Sequence, residues 1–100
     1  MPSFANLPLI DSHCHLDSEI WEEELPNVIE RAESAGVKTM ITIGSDDSVA
    51  YAQRAVALAQ TRANIYATVG IHPHNAADCD ASVFEAISEL AKDPNVVGIG

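Results

Sequence analysis

Apolar positions change their period repeatedly along this chain. Leu7-Pro8-Leu9-Ile10 is a short apolar run that enters the polar stretch Asp11-Ser12-His13-Cys14-His15, which reads as a strand ending in a polar mouth. Leu25, Val28, Ile29, Ala32 and Ala35 then recur at helical spacing. Pro26 suits the first turn of that helix, and Gly36 suits the position just past its end. Val37 to Ile43 is β-branched and apolar, a second strand that Gly44 stops. Ser45-Asp46-Asp47-Ser48 supplies capping residues and negative charge at a helix N-terminus. A long Ala-rich helix follows, with Val49, Ala52, Val56 and Ala59 on one face. Ile65 to Ile71 is a third strand, closed by His72-Pro73-His74. Ser82-Val83-Phe84-Glu85 fits a capping box, and Val83, Ile87, Leu90 and Ala91 give the next helical stripe. Asp93-Pro94-Asn95 breaks it, and Val96 to Ile99 begins a fourth strand.

Strand and helix thus alternate three times, with one strand more. Strand starts near Leu9, Thr39, Tyr66 and Val96 recur at the spacing of a βαβ unit, and helical crossovers imply parallel strands. Eight such units make about 230 residues, near the size of a (β/α)8 barrel. A small doubly wound, flavodoxin-like sheet has the same local pattern but needs another strand and helix. The chain stops at Gly98-Ile99-Gly100 without a closing helix. Parallel sheets are normally covered on both faces, and open edges invite pairing with other chains. The expectation is therefore an α/β chain of about three and a half βα units. Residues 1–100 would be the N-terminal portion of a TIM barrel domain whose remainder is missing, prone to self-association through its open sheet edges.

Composition narrows the class. Hydrophobic residues make up 47% of the 100 residues, a globular share that argues against disorder. No apolar run approaches the ~18 residues of a membrane span, and Met1 to Asn6 lacks the pattern of a secretory leader. Cys14 and Cys79 make no disulfide framework, so a reducing cytoplasm is the default location. The net charge of −10 argues against an extended electrostatic footprint on nucleic acid, which needs clustered Lys and Arg. It leaves open an enzyme that meets phosphate through bound metal.

The candidate chemistry sits at the strand ends. His13 and His15 are two apart, so period-two alternation puts both side chains on one face with Asp11, while Ile10, Ser12 and Cys14 point the other way. Two imidazoles on a rigid strand suit a divalent metal, and barrel active sites lie at strand C-termini. A polar strand end whose histidines bond to backbone has the same sequence. His72 alternates with Tyr66, Thr68 and Gly70, opposite Ile65, Ala67, Val69 and Ile71. It should therefore open into the same mouth as His13 and His15, although a lone His before Pro is also a common turn residue. His74 lies beyond the proline, at the rim.

Ile10-Asp11-Ser12-His13-Cys14-His15-Leu16-Asp17 together with Val69-Gly70-Ile71-His72-Pro73-His74 resembles the TatD-like metal-dependent hydrolases, a branch of the amidohydrolase-like barrel enzymes. The resemblance extends from about Leu9 to Gly100. It implies a (β/α)8 barrel and a metal-dependent deoxyribonuclease, often a 3′-to-5′ exonuclease, with DNA as substrate. It makes His13 and His15 ligands of one divalent ion and His72 an active-site histidine that touches the substrate phosphate. Two ions, of Zn, Mg or Mn, would complete the site. Asp11 would orient a ligand histidine or the strand end. The resemblance also places a metal-bridging glutamate immediately after Gly100, with two histidines and an aspartate further on. This chain then holds two ligands of a site that needs several, and the fragment alone is expected to be inactive.

Asp17 reads as the opening of the next turn, Cys14 as a small core residue and Cys79 as a surface loop residue. Trp21 packs at a solvated, acidic helix start in this reading. Two other functions fit the His-x-His strand end. One is a barrel metallohydrolase acting on a small ester, amide or phosphoester, including a PHP-type phosphoesterase. The other is a truncated chain without catalysis.

Overall fold

The computed structural model describes residues 7–100. Met1–Asn6, read above as carrying no leader, lies outside the described residues. Strand β1 (Leu9–Cys14) is followed by a short 3-10 turn (Glu19–Trp21), helix α1 (Leu25–Ser34) and strand β2 (Val37–Asp46). Helix α2 (Val49–Thr61), strand β3 (Ile65–Ile71) and a second 3-10 turn (Pro73–Asp78) come next. Helix α3 (Ala81–Leu90) and strand β4 (Val96–Ile99) complete the order. The strands form a single sheet in the order β1-β2-β3-β4, every neighbouring pair parallel.

The alternation of apolar side chains decides which face the helices cover. Met40, Thr42 and Gly44 of β2 are buried, and they pair with Ile65, Ala67 and Val69 of β3, which are fully buried. One core cluster joins these side chains to Leu16, to Ile29 of α1, and to Ala52, Ala55, Val56 and Ala59 of α2. Ile87 and Leu90 of α3 pack at its edge. The expected stripe of α2 is thus largely the buried one, with Ala55 added. The opposite face of the sheet has no such cover among the described residues. Ile10, Val97 and Ile99, on the two edge strands, are exposed.

The structure shifts three of the expected boundaries. Gly44 does not stop β2, which runs on to Asp46. A Cβ at Gly44 would lie 2.7 Å from the Thr68 carbonyl oxygen, 2.8 Å from Ala55 Cβ and 2.9 Å from Ala52 Cα. Glycine is there because α2 crosses β2 too closely for any side chain. Ser45 and Asp46 are consequently strand residues. Ser48 flanks α2 with extended backbone and no side-chain capping bond. For α3 the cap is Asp80, not Ser82: its Oδ1 accepts the Val83 N–H at 3.0 Å and the Ser82 hydroxyl at 2.6 Å. These bonds to the ionised form hold the Asp80 carboxyl below its ordinary value of 3.8. Helix α1 begins and ends where Pro26 and Gly36 place it, Gly36 taking φ +103°.

Candidate active site at the strand ends

The two motif histidines on β1 and its exit lie side by side. The His13 and His15 ring centroids are 5.2 Å apart with the planes nearly perpendicular. Both rings are exposed. Metal–nitrogen bonds of about 2.0–2.1 Å, at ligand angles of about 90–110°, leave two imidazole centroids on one ion about 4.5–5.2 Å apart. The separation of the pair falls at the upper end of that range. Among the described residues no group of three His, Cys, Asp or Glu side chains comes together in this way.

Period-two alternation fails on β1. Asp11 pairs with Met40 and Cys14 with Thr42, so three residues of β1 step against two of β2. Asp11 and Cys14 thus both stand opposite helix-facing residues of β2. They line a hollow of about 220 Å³ with Val28 and Ala32 of α1, Trp21 and Met40. The expectation that Asp11 shares a face with His13, with Cys14 opposite, is corrected by this bulge. Asp11 acts through its carboxylate instead: Oδ1 accepts the His13 backbone N–H at 3.1 Å. A side chain so satisfies a donor that the interrupted ladder leaves without its strand partner.

Cys14 is half-buried, and its thiol donates to the Ile41 carbonyl at 3.4 Å. Burial, with the negative charges of Asp11 and Asp17 behind it, pushes the thiol up to about 11. Its partial burial and its bond to the β2 backbone are in keeping with its reading as a small core residue. Cys79 is exposed, as expected for a loop.

His15 and His72 open on one cavity of about 330 Å³. Asp17 and Ser18 line it from the segment after β1, Ser45 and Asp46 from the end of β2, and Tyr51 from the first turns of α2. β3 delivers His72 to this mouth. The His72 N–H donates to the Asp46 carbonyl at 3.1 Å, which carries the parallel ladder one residue past Ile71. Pro73 then opens the second 3-10 turn. Within that turn the His74 N–H donates to His72 Nδ1 at 3.1 Å. A neutral imidazole has one donor and one acceptor nitrogen. With Nδ1 accepting, the ring proton is on Nε2, and His72 presents a hydrogen-bond donor. The His74 ring leans on it, centroids 4.7 Å apart.

Sequence reasoning missed most of the residues around these histidines. Asp17 is not a plain turn residue: it is only 6% exposed, and its carboxylate accepts from the Thr42 hydroxyl at 2.7 Å. Ser45 and Asp46 were hidden by reading Gly44 as a strand stop. The rule that parallel strands carry their chemistry at their C-terminal ends would have pointed to both. An ion pair between Arg54 Nη1 and Glu19 Oε1, at 3.2 Å, links the first 3-10 turn to α2 beside the cavity.

A four-stranded parallel sheet in sequential order, helices on one face and histidines at the strand ends, is the front of a (β/α)8-type barrel with its mouth on the C-terminal side. Comparison with known proteins gives the family. The TatD related DNase family matches residues 10–100, and the chain belongs to it. The chain is 35% identical over 92 residues to the uncharacterized metal-dependent hydrolase YabD of Bacillus subtilis (strain 168), covering 92% of this chain and 35% of that protein. It is 34% identical over 92 residues to the 3′-5′ ssDNA/RNA exonuclease TatD of Shigella flexneri, with the same coverage of both. The corresponding exonuclease of Escherichia coli (strain K12) is 33% identical over 92 residues, again 92% of this chain and 35% of the relative. The chain thus spans about a third of the length of these curated relatives. The family fold is a TIM barrel, and this chain covers its N-terminal part. Among the described residues no helix is long and apolar enough to cross a membrane.

Proposed function

We propose that these residues are the first part of the active site of a metal-dependent hydrolase of phosphodiester bonds, a deoxyribonuclease of the 3′-5′ exonuclease type. The observation that carries the reading is the pairing of the His13 and His15 imidazoles at a strand end, with His15 and His72 lining one cavity at the C-terminal side of a parallel sheet. His13 and His15 hold one divalent ion, of Zn, Mg or Mn, whose imidazole and carboxylate ligands all three accept. A second ion belongs to the complete site. Metal bound there supplies charge to polarise a phosphate oxygen and acidify water. His72, its Nδ1 engaged by the His74 amide, donates through Nε2 to a substrate phosphate oxygen.

Electrostatics supports a metal. The cavity carries the carboxylates of Asp17 and Asp46, and neither Lys nor Arg lines it. A phosphodiester approaching so acidic a mouth needs a bound cation between. Similarity to proteins named 3′-5′ ssDNA/RNA exonuclease makes single-stranded nucleic acid the first substrate to try. The 100 residues form a partial barrel domain of a cytoplasmic protein, its exposed edge strands prone to pair with a second copy when the rest of the barrel is absent. On this reading the 100-residue chain alone, with two ligands of a site that needs several, does not turn over.

The test is release of nucleotides from 3′-labelled single-stranded DNA, with Mn²⁺ added or chelated, by the protein expressed from its complete gene. Loss of cleavage in His13→Ala and His15→Ala and on chelation supports the reading. Cleavage indifferent to both histidines overturns it. Preference for a small phosphate ester over DNA would move the protein to the wider class of barrel metallohydrolases.

A further inference from the structure

We infer that Thr42 is a positioning residue for the metal-binding strand end, its hydroxyl fixing the backbone from which His15 projects. The inference rests on the metal reading of His13 and His15. β1 ends at Cys14, and its ladder with β2 is already bulged between Asp11 and Cys14. The backbone after Cys14 therefore leaves the sheet just where an exposed ligand has to be held still. The Thr42 side chain takes over from the ladder. Its Oγ1 accepts the Leu16 N–H at 3.1 Å and donates to Asp17 Oδ1 at 2.7 Å. One hydroxyl has the hydrogen and the lone pairs for both bonds. Thr42 is fully buried, so no water substitutes for either.

The Asp17 half of the arrangement needs Thr42 as much. A carboxylate this buried demands a donor, and a bond from a hydroxyl to a charged oxygen is short and strong. Asp17 also lines the cavity shared by His15 and His72. Thr42 thus clamps the residues on the C-terminal side of His15 to a central strand. Loss of the hydroxyl frees Leu16 and Asp17 together, and the imidazole at His15 moves with them. Partners bonded directly to a ligand change metal affinity by about 10–100-fold; Thr42 acts one residue removed, through the backbone, so the expected loss lies at the lower end of that range.

The test measures Mn²⁺ affinity by isothermal titration calorimetry, with thermal unfolding beside it, in the protein expressed from its complete gene. His15→Ala serves as the reference for a lost ligand. Thr42→Val keeps the shape and removes the hydroxyl, and Thr42→Ser restores it. Affinity about tenfold or more weaker in Thr42→Val, with Thr42→Ser near the natural protein, supports the inference. Should Thr42→Val not fold, Thr42→Cys, with a weaker donor and acceptor, is expected to give an intermediate loss. Lowered thermal stability with unchanged Mn²⁺ affinity would mean that Thr42 only supports the fold, and would overturn the inference while leaving the metal site intact. Mn²⁺ binding that His15→Ala does not weaken would overturn the metal reading itself, and this inference with it.

Discussion

Gly44→Ala tests the packing that brings β2 to the mouth. The added methyl carbon would sit 2.7 Å from the Thr68 carbonyl oxygen, 2.8 Å from Ala55 Cβ and 2.9 Å from Ala52 Cα. All three are backbone or first side-chain atoms, so no rotamer change relieves them. α2 has to retreat from the sheet by about 0.5–1 Å, which forfeits about a quarter to a half of each dispersion contact across that interface. The side of α2 that moves carries Ala52, Ala55, Val56 and Ala59, all buried. The cost therefore falls at the upper end of the ~1–3 kcal/mol of an overpacked core. Urea unfolding reads it as a midpoint lowered at unchanged slope. Gly36→Ala is the internal comparison. Its Cβ meets nothing within 4 Å, and only the φ of +103° opposes it, a left-handed penalty of about 1–2 kcal/mol. A Gly44→Ala protein that unfolds with the natural one, or later than Gly36→Ala, would refute the close-approach argument.

Two further outcomes follow from the site. At pH 9, where histidine is neutral, the ¹⁵N shifts of His72 should report a proton on Nε2, and His74→Pro, which removes the amide donating to Nδ1, should give a mixture of tautomers; an unchanged spectrum would mean the 3-10 turn does not set the proton. Iodoacetamide at pH 8 should alkylate exposed Cys79 before half-buried Cys14. The Cys14 rate should then rise about tenfold per pH unit up to about 11, because only the thiolate reacts. Mass spectrometry showing Cys14 modified first at pH 8 would contradict its burial.

Sequence by itself determined the order of elements and the end of the sheet at which the histidines lie. Regular alternation carries that information. Ile65, Ala67 and Val69 face the helices because strand side chains alternate, and the same parity delivers His72 to the mouth beside His15. The Pro26 and Gly36 signals worked because each acts on its own backbone. The helix cap failed by two residues, since Ser82 and Asp80 offer similar oxygens and the structure uses the charged one.

Tertiary structure alone decided the rest. On β1 a bulge against β2 turns Asp11 to the helix side and gives its carboxylate the His13 amide. A bulge is a mismatch between two strands, and no reading of either strand alone contains it. Gly44 has the same explanation. As a local signal glycine interrupts a strand, but here α2 needs the space that a side chain would fill. Asp17 was legible only as a turn residue because its partner Thr42 is distant in sequence, and that bond depends on β1 and β2 lying side by side. Local propensity and period follow from each residue's own backbone and neighbours. Close approach, register and buried polar pairing exist only between segments that the fold has already brought together.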